Sequence, residues 1–436
     1  MSNLKNEGTT ADYLMNVFPT KTFPNHHSIA TGVYPETHGV VGNNFYDPKL
    51  KRLIGIGYEM YHYTDEIVPI WTLNEKAGEG RHSGIMMWPG GVYEYTGINA
   101  TYIHQWDPTM SWFQRIDTAM SWILDKTRPA NLVMLYFEEP DTHGHVYGPE
   151  SPVVYNLLQQ LDNITQYLHD KLRDNGLSSR ANVIHLSDHG MSTVRPPQFI
   201  DLTQHLKPNT YQIADTSPCL HFIPNAGFED DVYTRLKKVA ETNKNFKIYK
   251  KADLLDRWHY KNNPRIPPIL AVAEPGYGFQ DLTDNVQYYV KTYHLKVTAK
   301  SEFGVHGYDN EVPDMHPFFI AKGPAIKSSH KVPPFSTLDL YNLFSTILDL
   351  KPGKTNGTFA NVRDILQPVK HQIVTPILVA VGGFIISVSL IGCIASFTIL
   401  FKRNKIRTEY PTTFENILQN EHNLIEAQHL LEPEEI

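Results

Sequence analysis

Cysteine is nearly absent: the 436 residues include two, Cys219 and Cys393. That excludes a disulfide framework as the source of stability, so the fold must rest on a buried core, which a chain of this length can build. An excess of positive charge is missing too. With 39 Lys and Arg against 46 Asp and Glu, the formal net charge is −7. No basic face is offered to a nucleic-acid polymer, and that partner is excluded. No internal repeat or low-complexity tract is present, so the first 366 residues read as one continuous domain. Nothing before Thr22 has a basic stretch followed by an apolar run, so a secretory leader is not found in the sequence. Long uncharged runs are lacking except in one place. From Ile373 to Leu400 there are 28 residues without a charge, where about 20 suffice to cross a bilayer.

That run divides the chain into an extracellular domain (1–366), a juxtamembrane linker (367–372), a transmembrane helix (373–401) and a cytoplasmic tail (402–436). Lys402-Arg-Asn-Lys-Ile-Arg407 follows the span at once, which places the tail inside and the large domain outside the cell, the type I topology of a single-pass plasma-membrane protein. Three sequons, at Asn99, Asn163 and Asn356, lie on the external side and none in the tail. They are the glycosylation candidates. In the tail, Glu426-Ala-Gln-His-Leu-Leu431 resembles a dileucine signal that a sorting adaptor would read. A plain amphipathic or disordered tail is the equal alternative.

The chemistry-bearing residues fall in four short clusters: Thr22-Phe23-Pro24-Asn25, Asp141-Thr-His-Gly-His145, Asp188-His189-Gly190-Met191 and His306-Gly307-Tyr308-Asp309. They supply one hydroxyl with a set of carboxylates and imidazoles, the oxygen and nitrogen donors that zinc prefers. Among 21 His and 46 acidic residues, a single Asp-x-x-x-His arises by chance. The surroundings argue otherwise. Asn131-Leu-Val-Met-Leu-Tyr-Phe137 and Asn182-Val-Ile-His-Leu186 are short apolar runs of the kind buried parallel strands show. Asp141 and Asp188 follow them closely, at the carboxyl ends where open α/β sheets bind ligands. His306 sits in a Gly-bounded loop ahead of a third such run, His316-Pro-Phe-Phe-Ile320. The whole reads as a site for two zinc ions and a phosphate ester. Elsewhere, Asp162 to Asn175 has an amphipathic helical pattern, and 261–300, with Pro264, Pro267, Pro268 and Pro275, reads as an irregular insertion.

Pro19-Thr-Lys-Thr-Phe-Pro-Asn-His26, with Ser28-Ile-Ala-Thr-Gly-Val-Tyr-Pro-Glu-Thr-His-Gly39, resembles the nucleophile segment of the ectonucleotide pyrophosphatase/phosphodiesterase family. Trp88-Pro-Gly90, Glu139-Pro-Asp141, Ser187-Asp-His-Gly-Met191 and His306-Gly-Tyr-Asp-Asn310 match in the same order, from about residue 10 to about 360. The compact domain and C-terminal span are most similar to the membrane-anchored fourth and fifth members. The resemblance implies the alkaline-phosphatase-like α/β fold, a mostly parallel sheet sandwiched by helices. It also implies a zinc-dependent ecto-phosphodiesterase that splits phosphodiester or pyrophosphate bonds of nucleoside triphosphates, diadenosine polyphosphates or NAD.

Residue by residue, it implies that Thr22 is the nucleophile and forms a phosphothreonine intermediate. Taken alone, Thr22 before Pro24 is a helix-start threonine near free N–H groups that favour phosphate. Asp141, His145 and His306 would hold one zinc, and Asp188, His189 and Thr22 the other. Asn43 would stabilise a charged non-bridging oxygen, while its neighbour Asn44 reads as a turn residue. Phe23 and Trp106 fall where nucleotide bases stack, although both read equally well as core aromatics. One departure matters. Family members supply a further Asp to the second zinc from the end of a first β-strand well upstream of the nucleophile, and only 21 residues precede Thr22 here. Asp12 is not at that position. The first strand is therefore expected to be missing, with a truncated and inactive chain as one consequence. A non-catalytic membrane glycoprotein, or a phosphodiesterase of choline phosphodiesters or lysophospholipids, is the alternative.

Overall fold

The computed structural model describes residues 2–368 and 374–409. The chain divides into two compact units, Met1–Gln367 and Pro368–Ile436.

The first unit is mixed α/β. Ser83–Met86 lies between Tyr102–His104 and Leu132–Leu135, and these three strands run parallel. A second sheet has the order His330–Val332, Thr9–Ala11, Phe319–Lys322, Val183–Leu186. Its first pairing is parallel and its other two are antiparallel. A third, antiparallel throughout, has the order Tyr211–Ala214, Cys219–Pro224, Ile269–Ala273, Phe246–Lys250. One mostly parallel sheet was expected, and the structure corrects this to several separate sheets of both kinds.

The interruption has a definite place. Leu132–Leu135 and Val183–Leu186 each pair along one edge only, and both line a cavity of about 1500 Å³. Ile116 and Met120 of the helix Trp112–Ile123 and Leu168 and Leu172 of the helix Pro152–Asp174 line it as well. The cavity separates the two strands along their unpaired edges. It also explains a second difference, since both strands were expected to be fully buried and are mostly half-buried. Val183–Leu186, read as a parallel strand, has an antiparallel partner.

Two further differences concern local signals. Pro152–Asp174 spans 23 residues and begins ten residues before the amphipathic pattern suggested. Its start is set by Ser151, whose side chain accepts the Val154 N–H, and by proline at the first helical position. The supposedly irregular 261–300 holds the fully buried strand Ile269–Ala273 and the helix Asp281–Tyr293. Pro268 immediately precedes that strand, where its missing N–H breaks no ladder bond. The main core gathers Phe18, Phe45, Trp71, Trp258 and Tyr260.

In the second unit a helix covers Val374–Glu409. Its stretch Phe384–Lys405 has mean hydropathy 2.4, long and apolar enough to cross a membrane. The helix continues through the basic Lys402–Arg407 run. Most of the expected linker, Ile373 and the Glu426–Leu431 signal lie outside the described residues.

Candidate active site

Each cluster reaches the site from a different element. Thr22 opens the helix Thr22–Thr31, and Asp141 opens the helix Asp141–Tyr147. On the second helix Asp141 and His145 are four residues apart and share one face. Asp188 and His189 lie just past the carboxyl end of Val183–Leu186. His306 follows Phe303–Val305, which is packed against the helix Asp141–Tyr147 at Gly304, where an added Cβ would fall 2.4 Å from Gly144 O. These residues converge, although 284 positions separate Thr22 from His306 along the chain.

The hydrogen bonds fix which nitrogen of each ring faces inward. Nδ1 of His145 donates to Gly304 O at 2.7 Å, Nδ1 of His306 to Thr20 O at 2.9 Å, and Nδ1 of His189 to Gly190 O at 2.8 Å. In each neutral ring the proton is thereby placed on Nδ1, and Nε2 is left as a bare acceptor. Those acceptors face carboxylates. His145 Nε2 is 3.6 Å and His306 Nε2 3.5 Å from Asp141 Oδ1, while His189 Nε2 is 3.2 Å from Asp188 Oδ2. Both carboxylate oxygens are buried without a hydrogen-bond partner. Lone pairs aimed at orphaned anionic oxygens are unfavourable unless a cation stands between them. Asp141, His145 and His306 bring their donor atoms within 4.8 Å of one another. Carboxylate oxygen with imidazole nitrogen is a donor set that suits zinc.

The electrostatics agree. Burial alone would raise Asp188, but His189 and His26 beside it hold the carboxyl well below its ordinary range. Burial works against a charged His189, yet Asp188 and then Asp141 outweigh it and raise the ring to about 9. This corner favours positive charge. His306, by contrast, is held well below its ordinary value by burial and by the neighbouring rings of His189 and His145. Its ring stacks on His189 with centroids 3.5 Å apart.

Thr22 Oγ1 lies 3.4 Å from His189 Nε2. Free N–H groups were expected around this helix start, and fewer are found. The Phe23 N–H donates to Asn43 Oδ1 at 3.1 Å, and Pro24 has no N–H. That bond turns the Asn43 amide so that its NH2 remains as a donor. A helix N-terminus with an amide donor beside a hydroxyl suits an anionic phosphoryl group.

The aromatic candidates are less closely gathered. Phe23 is half-buried and packs against the main core. Trp106 is 59% exposed in the loop after Tyr102–His104. Asn99, Asn163 and Asn356 are all exposed.

The sequence reading missed His26 and Thr20. His26 Nδ1 lies 2.8 Å from Thr22 O and 3.1 Å from Asp188 Oδ2, joining the helix that Thr22 opens to a carboxylate. Its position four residues after Thr22, on the same helix face, was the available signal. Thr20 holds the His306 loop, its Oγ1 accepting the Gly307 N–H at 3.0 Å and donating to Tyr308 O at 2.9 Å. Adjacency in sequence gives no hint of that link.

A family model, type I phosphodiesterase / nucleotide pyrophosphatase, matches residues 1–309. The chain is 34% identical over 372 residues to ectonucleotide pyrophosphatase/phosphodiesterase family member 5 of Homo sapiens, covering 84% of this chain and 73% of the relative. It is 32% identical over 398 residues to the bis(5'-adenosyl)-triphosphatase of Xenopus laevis, covering 91% and 83%. Among solved structures it is similar to murine family member 5, as an inactive threonine-to-alanine variant in complex with AMP. That match has a TM-score of 0.75 at 34% identity, covering 84% of this chain and 93% of the other.

Proposed function

The chain belongs to the type I phosphodiesterase / nucleotide pyrophosphatase family of hydrolases, with the mixed α/β, alkaline-phosphatase-like fold of its solved relative, and from this we propose that it hydrolyses phosphodiester or pyrophosphate bonds of small extracellular nucleotides. The observation that carries the reading is the convergence of His145 Nε2 and His306 Nε2 on the unpartnered Asp141 Oδ1, with Asp188 and His189 beside the Thr22 hydroxyl. Asp141, His145 and His306 would hold one zinc and Asp188, His189 and Thr22 a second, and bound cations there supply Lewis acidity to the hydroxyl and to the phosphoryl oxygens.

The chain's own residues do the rest. Thr22 Oγ attacks phosphorus, a phosphothreonine ester forms as the bond to the leaving oxygen breaks, and water later resolves the ester. The Asn43 NH2 donates to a non-bridging oxygen as its charge grows. The helix N-terminus adds a partial positive charge. His26 and the three Nδ1 anchors hold the donor set rigid, which lowers the cost of organising it during reaction. The inactive threonine-to-alanine variant of the murine relative agrees with a threonine nucleophile, and its AMP with a nucleotide substrate. The name of the Xenopus relative directs attention to diadenosine triphosphate. Phe23, and Trp106 at the surface, are the candidates for stacking the base.

The test is hydrolysis of a chromogenic thymidine-monophosphate ester and of diadenosine triphosphate by the full chain with added zinc. Zinc-dependent turnover that disappears in Thr22→Ala is expected. A folded wild-type preparation without turnover overturns the reading. We also propose that the apolar run 373–401 crosses the membrane, with the catalytic unit outside and the basic Lys402–Arg407 run inside. Extraction of the full chain by alkaline carbonate alone would refute the span, and an unchanged mobility after N-glycan removal would refute glycosylation at Asn99, Asn163 and Asn356.

A further inference from the structure

We propose that the buried Lys21–Asp215 ion pair is a positioning device that fixes the Thr22 hydroxyl relative to the Asn43 amide. Lys21 immediately precedes Thr22, and its side chain is 1% exposed. Its Nζ is 2.8 Å from Asp215 Oδ1, 2.7 Å from Thr216 O and 3.2 Å from Thr216 Oγ1. An ammonium has three donors, and all three are used. Lys21 therefore has nothing left to offer a phosphate, which rules out the ordinary role of a lysine beside a phosphoryl site.

Asp215 reaches the other side of the site. Its backbone N–H donates to Asn44 Oδ1 at 2.7 Å. An added Cβ at Gly42 would lie 2.4 Å from Asp215 Oδ2, so the loop 42–44 is pressed onto the carboxylate. Asp215 adopts the left-handed conformation, φ 61°, which is uncommon for a residue with a Cβ. Burial pushes its carboxyl up while Lys21 opposes that. His221, whose Nε2 is 3.9 Å away, is kept neutral by burial, at about 3. Tyr260, whose hydroxyl bonds Val41 O and His221, and Cys219 are the other titratable groups at this face, and burial keeps both protonated. Lys21 is thus the one cation paired with Asp215 among the described residues.

The two ends of this bridge are the residues on either side of the phosphoryl position. Lys21 adjoins Thr22 in the chain, and Asp215 holds the loop 42–44 on which Asn43 sits, through Asn44 and the close approach of Gly42. Stability does not require such a pair, because apolar residues of similar volume commonly replace buried ion pairs without loss. Placement within a fraction of an ångström does require it, since small misplacements near reacting atoms cost about 100-fold in rate.

The inference rests on the proposed hydrolytic role of Thr22 and Asn43, so its test begins with wild-type turnover. If wild-type protein is inactive, that reading has failed, and the pair then has nothing to position. With active wild type, Asp215→Asn and the charge-free double variant Lys21→Met/Asp215→Leu are compared. The double variant leaves no buried charge unpaired and guards against misfolding. Expected are a kcat lower by about tenfold or more, KM within about twofold, and zinc affinity unchanged by competition titration. Combining Asp215→Asn with Asn43→Ala should cost little more than Asn43→Ala alone, because both act on one donor. A kcat within twofold of wild type in the folded double variant, or fully additive losses, overturns the proposal.

Discussion

At the scale of single residues, a pair of neutral histidines beneath the site makes the fold sensitive to acid. The Val40 N–H donates to His38 Nδ1 at 3.1 Å, so His38 carries its proton on Nε2, 2.9 Å from Ser28 Oγ. The Ser28 hydroxyl donates to Val33 O at 2.9 Å. His27 packs edge-on against His38, with centroids 4.8 Å apart. Burial lowers His27 to about 3 and His38 well below its ordinary 6.5. Because both folded values lie below the unfolded one, the unfolded chain binds more protons in between. Their contribution is complete above pH 6.5 and declines as the pH falls toward 3, by up to about 1.4 kcal/mol per unit for each ring. Denaturant titrations at pH 7.5, 6, 5 and 4 measure the slope. His27→Phe should flatten it by that amount, and an unchanged slope would contradict the assignment. The motif around Thr22 made these residues visible as a string of letters. Their individual roles were hidden because the deciding partners are remote: Thr216 lies 195 positions from Lys21 and His306 lies 286 from Thr20.

Elements tell a different story, in which existence was legible and pairing was not. Apolar runs marked Leu132–Leu135 and Val183–Leu186, and the carboxylates do follow them. Direction and neighbours depend on which strand lies alongside, and a short apolar run carries no such information. Prolines hid Ile269–Ala273, because proline just before a strand looks the same in sequence as proline inside a loop. The gap between the two half-paired strands has a measurable consequence. Deleting a side chain that lines an existing cavity removes fewer contacts than deleting one from a closed core. Leu168→Ala, at the gap, should cost about 1 kcal/mol or less, whereas Leu220→Ala, fully buried in the third sheet, should cost about 2–5 kcal/mol. Equal losses in urea denaturation would mean that the gap is closed in solution. Hydrogen exchange gives a second reading of the same feature. Amides of 132–135 and 183–186 should exchange before those of Ile269–Ala273, which pairs on both edges.

For the whole first unit, the site gathers donors from four remote stretches, at Thr22, Asp141–His145, Asp188–His189 and His306. No stretch alone supplies more than two of the proposed ligands, so an unfolded chain cannot reproduce the set. Cation binding is then linked to folding of the entire unit. A ligand that binds only the native state adds RT ln(1 + [L]/Kd), about 2.7 kcal/mol when its free concentration is 100 times Kd. The gap in the sheet makes this contribution larger in relative terms. Asp141 and Asp188 follow the two strands that no hydrogen bond joins, and a cation in each of the two groups of donors would hold the carboxyl end of each strand to other elements of the unit. Zinc should therefore raise the thermal midpoint of the full chain by several degrees, and a chelator should reverse the rise. Asp141→Asn, which removes the one carboxylate of its donor group, should abolish most of the shift while leaving the metal-free midpoint nearly unchanged, because its Oδ1 has no hydrogen bond to lose. A zinc-induced shift that survives in Asp141→Asn would place the stabilising cation elsewhere. No shift in the wild type would mean that the convergence of these side chains does not amount to a metal site, whatever its resemblance to one.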